Sequence, residues 1–89
     1  MNAKRRRELR KAITLLNDAQ ANLESAKEII ADCQEEEQEC YDCLPEGIQD
    51  SDRGEEIQEN ADALESIADE VESLYDSVQE QIEAIEEVI

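Results

Sequence analysis

Leu44-Pro45-Glu46-Gly47-Ile48-Gln49-Asp50-Ser51-Asp52-Arg53-Gly54 holds the chain's single proline and both of its glycines. Every strong breaker of regular structure falls in this one stretch, and the segments on either side are free of them. Proline disfavours helical geometry in the residue before it, so a helix arriving from upstream stops at Leu44. Pro45 to Gln49 has the length of one short turn. Asp52, with Glu55 three residues on, supplies an acidic N-cap and an acid at N3, next to the positive end of the following helix dipole. The stretch reads as a stop, a corner and a start.

Upstream of the corner, Leu9, Leu16, Leu23 and Ile30 recur every seven residues; Glu37 interrupts the row and Leu44 resumes it. Three residues behind them come Ala12, Ala19, Ala26 and Cys33, with Cys40 continuing. Downstream, Ile57, Leu64, Val71, Val78 and Ile85 form one row, and Ala61, Ala68, Tyr75, Ile82 and Ile89 the next. These are heptad seams that pair a large position with a smaller one. Neither segment alternates with period two, so strands are excluded. The spacing predicts a helix over about 3–43, a loop over about 44–52 and a helix over about 53–88, the helices roughly 60 and 53 Å long. The expected fold is all-α: an antiparallel, coiled-coil-like two-helix hairpin forming a single domain over 1–89.

Ile13, Leu15 and Ile29 widen the first stripe, and Ile67, Leu74 and Val88 the second. That width exceeds what a two-stranded seam buries. Two helices also make a thin core, because short chains bury a small share of their surface. Pairing of two hairpins into a four-helix-bundle homodimer is therefore expected. The Ala/Cys row should lie where helix backbones come closest.

Composition narrows the function. The chain of 89 residues carries 8 Lys plus Arg against 26 Asp plus Glu, a net charge of −18, with 2% aromatics and no histidine. Lack of histidine removes the commonest general base and metal ligand. No glycine-rich phosphate loop is present, and a two-helix rod offers no cleft for paired-carboxylate catalysis. The expectation is a protein that is not an enzyme. No stretch approaches the roughly 18 apolar residues of a membrane span, and the first residues lack a signal peptide's apolar core. A cytoplasmic chain with reduced thiols and no membrane partner is expected.

The charge is lopsided. Residues 1–11 hold six bases and one acid, net +5, whereas residues 12–89 hold two bases and 25 acids, net −23. In a hairpin the basic run lies beside Glu83, Glu86 and Glu87, which offsets the cost of cations at a helix N-terminus. Direct nucleic-acid binding by this arm would work against the field of the remainder, and none is expected.

Cys33, Cys40 and Cys43 follow as C-x6-C-x2-C. The second pair has the spacing of a zinc half-site, but a tetrahedral ion needs four ligands and the remaining ones would come from acids, water or another chain. Cys33 and Cys40 also continue the small row, where a thiol packs as a small hydrophobe. Packing is the preferred reading and no cofactor is expected, with zinc the alternative. Asp50 to Glu56 fails as a calcium loop, since Gly54 falls at position 5 and Ala61 at position 12; capping accounts for these acids.

The carboxylates remain. Glu35, Glu36 and Glu39 on the first helix, and Glu55, Glu59, Asp62, Glu65, Asp69, Glu72 and Asp76 on the second, are the candidate partner-binding residues. Steps of three and four keep neighbouring carboxylates about 5–6 Å apart. Such an array repels itself but steers toward a basic groove. The expected partner is a basic, nucleic-acid-handling protein. Two alternatives stand beside it: a structural or adaptor coiled-coil module working through Ile67 and Leu74, and an assembly held by metal at the three cysteines.

Over Glu35–Glu56, EEEQECYDCLPEGIQDSDRGEE resembles a family of small proteins from Firmicutes genomes and their phages. The matching residues are Tyr41, Asp42, Leu44, Pro45, Glu46, Gln49, Arg53, Gly54 and Glu55, a YD-x-LPE-x-x-Q…RGE pattern, with Ala63-Leu64-Glu65 beyond. Cys40 and Cys43 stand where that pattern has alanine and asparagine. The resemblance implies a phage or mobile-element protein acting in a bacterial host's cytoplasm. By analogy of size, setting and charge, it implies an inhibitor of a host nuclease such as the anti-CRISPR proteins that block Cas9-type effectors, whose nucleic-acid channels are strongly basic.

Overall fold

A computed structural model describes residues 1–89 as three helices: α1 (Ala3–Asp42), α2 (Glu46–Gln49) and α3 (Asp52–Val88). There is no strand, and α1 and α3 pack along their length in a rod of 69 × 15 × 13 Å. The all-α hairpin matches the expectation, with helix ends within one residue of those read from the spacing.

At the open end, the Asn2 side chain caps α1 by accepting from the Arg5 N–H at 2.9 Å. At the corner, the N-cap of α3 is Ser51, one residue before the expected Asp52. Its Oγ accepts from the Gly54 N–H at 3.4 Å and donates to the Ile48 carbonyl oxygen. Asp52 and Glu55 sit instead within the first turn, where they still complement the dipole. The Gln49 amide donates to the Tyr41 carbonyl at 3.1 Å, tying α2 back to the end of α1. Gly54 is buried beneath α2, so close to the Ile48 and Gln49 carbonyls that a Cβ would overlap them.

Gln20 meets Gln79, Lys27 meets Glu72 and Gln38 meets Gln58, so facing positions have numbers summing to 96–99. On α3 the seam falls on the expected rows: Ala61, Ala68 and Ile82 are buried, and Leu64, Val71, Tyr75 and Val78 are half-buried. On α1 the large row also faces inward, but the small row is overturned at its far end. Cys33 and Cys40 are exposed, as is Cys43. A helix without supercoil drifts about 20° per heptad against a seven-residue repeat. The seam starts on Ala12, Ala19 and Ala26 and drifts to the adjoining row of Gln20, Lys27, Gln34 and Tyr41, all buried or half-buried. The thiols are carried out into solvent.

The half of the seam near the corner is therefore polar. Gln38 and Gln58 exchange amide hydrogen bonds at 3.2 and 3.1 Å. Nearer the open end, Gln20 is 6% exposed and donates to both the Tyr75 carbonyl and the Gln79 side chain. No buried side-chain polar atom lacks a partner, so these layers fix register without an unpaired group.

The basic arm behaves as a field more than as a set of contacts. Only two ion pairs form, Lys11 with Glu8 at 3.1 Å and Lys27 with Glu72 at 3.2 Å, and neither joins the arm to Glu83, Glu86 or Glu87. The arm does lie beside the C-terminal end of α3, which has no base in its last turn, while the first turn of α1 has no acid. Each helix end is thus unfavourable to its own dipole and favourable to its neighbour's.

Candidate functional site

An α-helix turns 100° per residue, so the faces of each helix follow from its numbering. On α3, Glu55, Glu59, Asp62, Glu65, Asp69, Glu72 and Asp76 lie to one side of the Ala61–Ala68–Ile82 seam. Ile67 and Leu74 lie to the other. On α1, Glu24, Glu28, Glu35 and Glu39 lie to one side of the Leu16–Leu23–Ile30 seam, and Leu15 and Ile29 to the other. Antiparallel helices rotate in opposite senses when viewed from one end, so like sides coincide. The rod has one carboxylate face and one apolar face.

The groove on the acidic side agrees with this assignment. It encloses about 310 Å3 and is lined by Leu23, Glu24, Lys27, Glu28 and Ala31 from α1 and by Val71, Glu72, Tyr75 and Asp76 from α3. Carboxylates from both helices flank it, with an apolar floor between them. Lys27, half-buried, reaches across to Glu72.

All ten candidate partner-binding carboxylates are exposed. Glu35, Glu39 and the seven on α3 share the acidic side, whereas Glu36 stands further round at the outer edge of α1. Only two of the ten have a partner: Glu72 pairs with Lys27, and Asp62 accepts from Gln58 at 2.9 Å. The others are held by nothing but their helix. That leaves a row of solvated negative charges on a straight scaffold, free to exchange water for cationic side chains.

No group of three or more Cys, Asp and Glu side chains is placed to hold a metal ion. Cys33 and Cys40 are seven residues apart on one helix, about 10 Å along its axis, too far for one ion to join. The row Ile13–Gln20–Lys27–Gln34–Tyr41 escaped the reading of the sequence although it too recurs every seven residues. Its polar members hid it from a search for apolar rows, and with it Lys27, the one cation in the acidic groove. No family model, curated protein or solved structure matches the chain.

Proposed function

We propose that this chain is a non-enzymatic inhibitor that occupies the basic, nucleic-acid-binding surface of a host protein, of which a CRISPR nuclease of Cas9 type is the leading candidate. The observation that carries this reading is the carboxylate face itself: the ten candidate acids of both helices are exposed, and only two of them have a partner. Solubility requires far less than 25 acids against two bases beyond residue 11. A concentration of one sign on one face raises encounter rates with a basic groove and rejects partners of like charge. The apolar seam holds the rod and takes no part in contact.

Charge reversal of Glu65, Asp69 and Glu72 to lysine tests it. All three are exposed, so helicity by circular dichroism should be retained. Affinity for the partner recovered from host lysate, and inhibition of its cleavage activity, should fall at least a hundredfold. Binding by the unmodified protein should weaken steeply between low and physiological salt. Inhibition that survives the triple reversal would refute the reading. The exposed Ile67 and Leu74 favour a second one, an adaptor module docking a helix on its apolar side; its binding would be lost on changing those two residues and be indifferent to salt.

A further inference from the structure

The hairpin is short of a core. Its accessible surface is 6506 Å2, whereas a compact chain of 10.1 kDa exposes about 5,300 Å2. Only three apolar residues are buried, Ala61, Ala68 and Ile82. Large apolar side chains are left in solvent, with Leu15 at 69%, Ile29 at 65% and Leu74 at 55% exposure. They are not scattered. The register of the rod places Ile29 across the seam from Ile67, and Leu74 one heptad further along, all on the side opposite the carboxylates.

The charges on this same side are sorted by end. Lys4 and Lys11 lie on it near the open end together with Glu8, which pairs with Lys11; Glu70 lies beside Ile67 and Leu74; and Glu37 and Glu56 lie near the corner together with Arg53, so the open end is net positive and the corner net negative. A copy running the same way sets α1 against α3 and leaves Lys4 and Lys11 no acid to face. A copy running the opposite way sets α1 against α1, with Lys4 and Lys11 of each beside Glu37 of the other. The broad face of a rod 69 Å long and 15 Å wide offers close to the ~800 Å2 per partner of a stable interface.

We propose that the face bearing Leu15, Ile29, Ile67 and Leu74 is closed by a second copy of this chain in the opposite orientation. The product is an antiparallel four-helix bundle with both carboxylate faces outward. A two-fold axis across the rod packs α1 on α1 and α3 on α3; in the register that brings Leu15 of one copy to Ile29 of the other, Leu74 meets its own counterpart. This inference stands apart from the proposed function, because it uses the side opposite the candidate partner-binding carboxylates.

Sedimentation equilibrium of the full chain at tens of micromolar should give about twice the 10.1 kDa chain mass. The Ile67→Lys, Leu74→Lys double variant should give the single mass. A monomeric parent, or a double variant that still dimerises, overturns the proposal. Orientation supplies a reading independent of whether the double variant keeps its fold. With Cys33→Ser and Cys40→Ser in place, a spin label on Cys43 reports the distance between corners. Opposed copies put the labels on the order of 50 Å apart at 1.5 Å rise per residue, and a dipolar distance near 20 Å overturns the arrangement.

Discussion

Gly54→Ala should lower the melting temperature by about 10 °C, while Gly47→Ala, seven residues earlier, should leave it unchanged or slightly raised. Both glycines have ordinary negative φ, so neither is required for its backbone conformation. What differs is the space around them. A Cβ on Gly47 meets nothing within 4 Å, whereas one on Gly54 runs into the carbonyl oxygens of Ile48 and Gln49. Those are backbone atoms and cannot rotate aside, so α2 must move as a body. Moving it strains the Ser51 cap and the Gln49–Tyr41 hydrogen bond. Overpacking costs about 1–3 kcal/mol and a lost cap about 1 kcal/mol; alanine's better helix propensity returns about 1 kcal/mol. The net loss of about 1–3 kcal/mol is large against the roughly 4–13 kcal/mol available to a chain of this length, and each kcal/mol shifts the midpoint by about 4–8 °C. At Gly47 only the entropy of the unfolded chain changes, a gain of up to about 1 kcal/mol. A Gly54→Ala protein that melts with the parent would mean that α2 does not rest on α3.

Ile82→Ala should cost about 2–4 kcal/mol, the range for emptying a buried aliphatic site. Ile82 is 3% exposed, the one large apolar side chain sealed by α1 and α3 alone. Its loss should appear as a lower urea midpoint at every protein concentration. Leu74→Ala makes the contrast, since at 55% exposure it loses little within one hairpin. Any cost there should grow with protein concentration, as expected of a residue whose burial depends on a second copy. Equal, concentration-independent losses from both would show that Leu74 is covered within its own chain.

The fold was legible because the corner and the heptads agree. Pro45, Gly47 and Gly54 punctuate at one place only, and α3 keeps its seam on the rows the spacing selects. The sequence was less informative wherever two chemically sound choices lay side by side. Ser51 and Asp52 are both good caps, and only the packing of Gly54 under α2 selects Ser51. The Ala/Cys row and the Ile13–Gln20–Lys27–Gln34–Tyr41 row both have period seven, and only the drift of the buried seam along α1 decides that Gln34 and Tyr41 face inward and the cysteines outward. Nine of the ten candidate carboxylates share a side because steps of three and four stay on one side of a helix, whereas Glu36, one residue after Glu35, falls outside it. That the exposed Leu15 and Ile29 share the other side with Ile67 and Leu74 needed the antiparallel pairing of the rod.

The register that sets Gln38 on Gln58 and Gln20 on Gln79 also orders events in time. Gln38 and Gln58 are separated by 20 residues and Gln20 and Gln79 by 59. Closing the nearer pair costs less chain entropy, and once it forms each further layer extends an existing ladder. The hairpin therefore zips from Gly54 outward and frays from Leu9 and Ile85 inward. Changes near the corner should slow folding, while those near Ile82 should mainly hasten unfolding. Amide hydrogen exchange would show this as protection that falls steadily from Ala61 toward Val88. The basic arm, last to close and first to open, spends the most time free of the acids beside it.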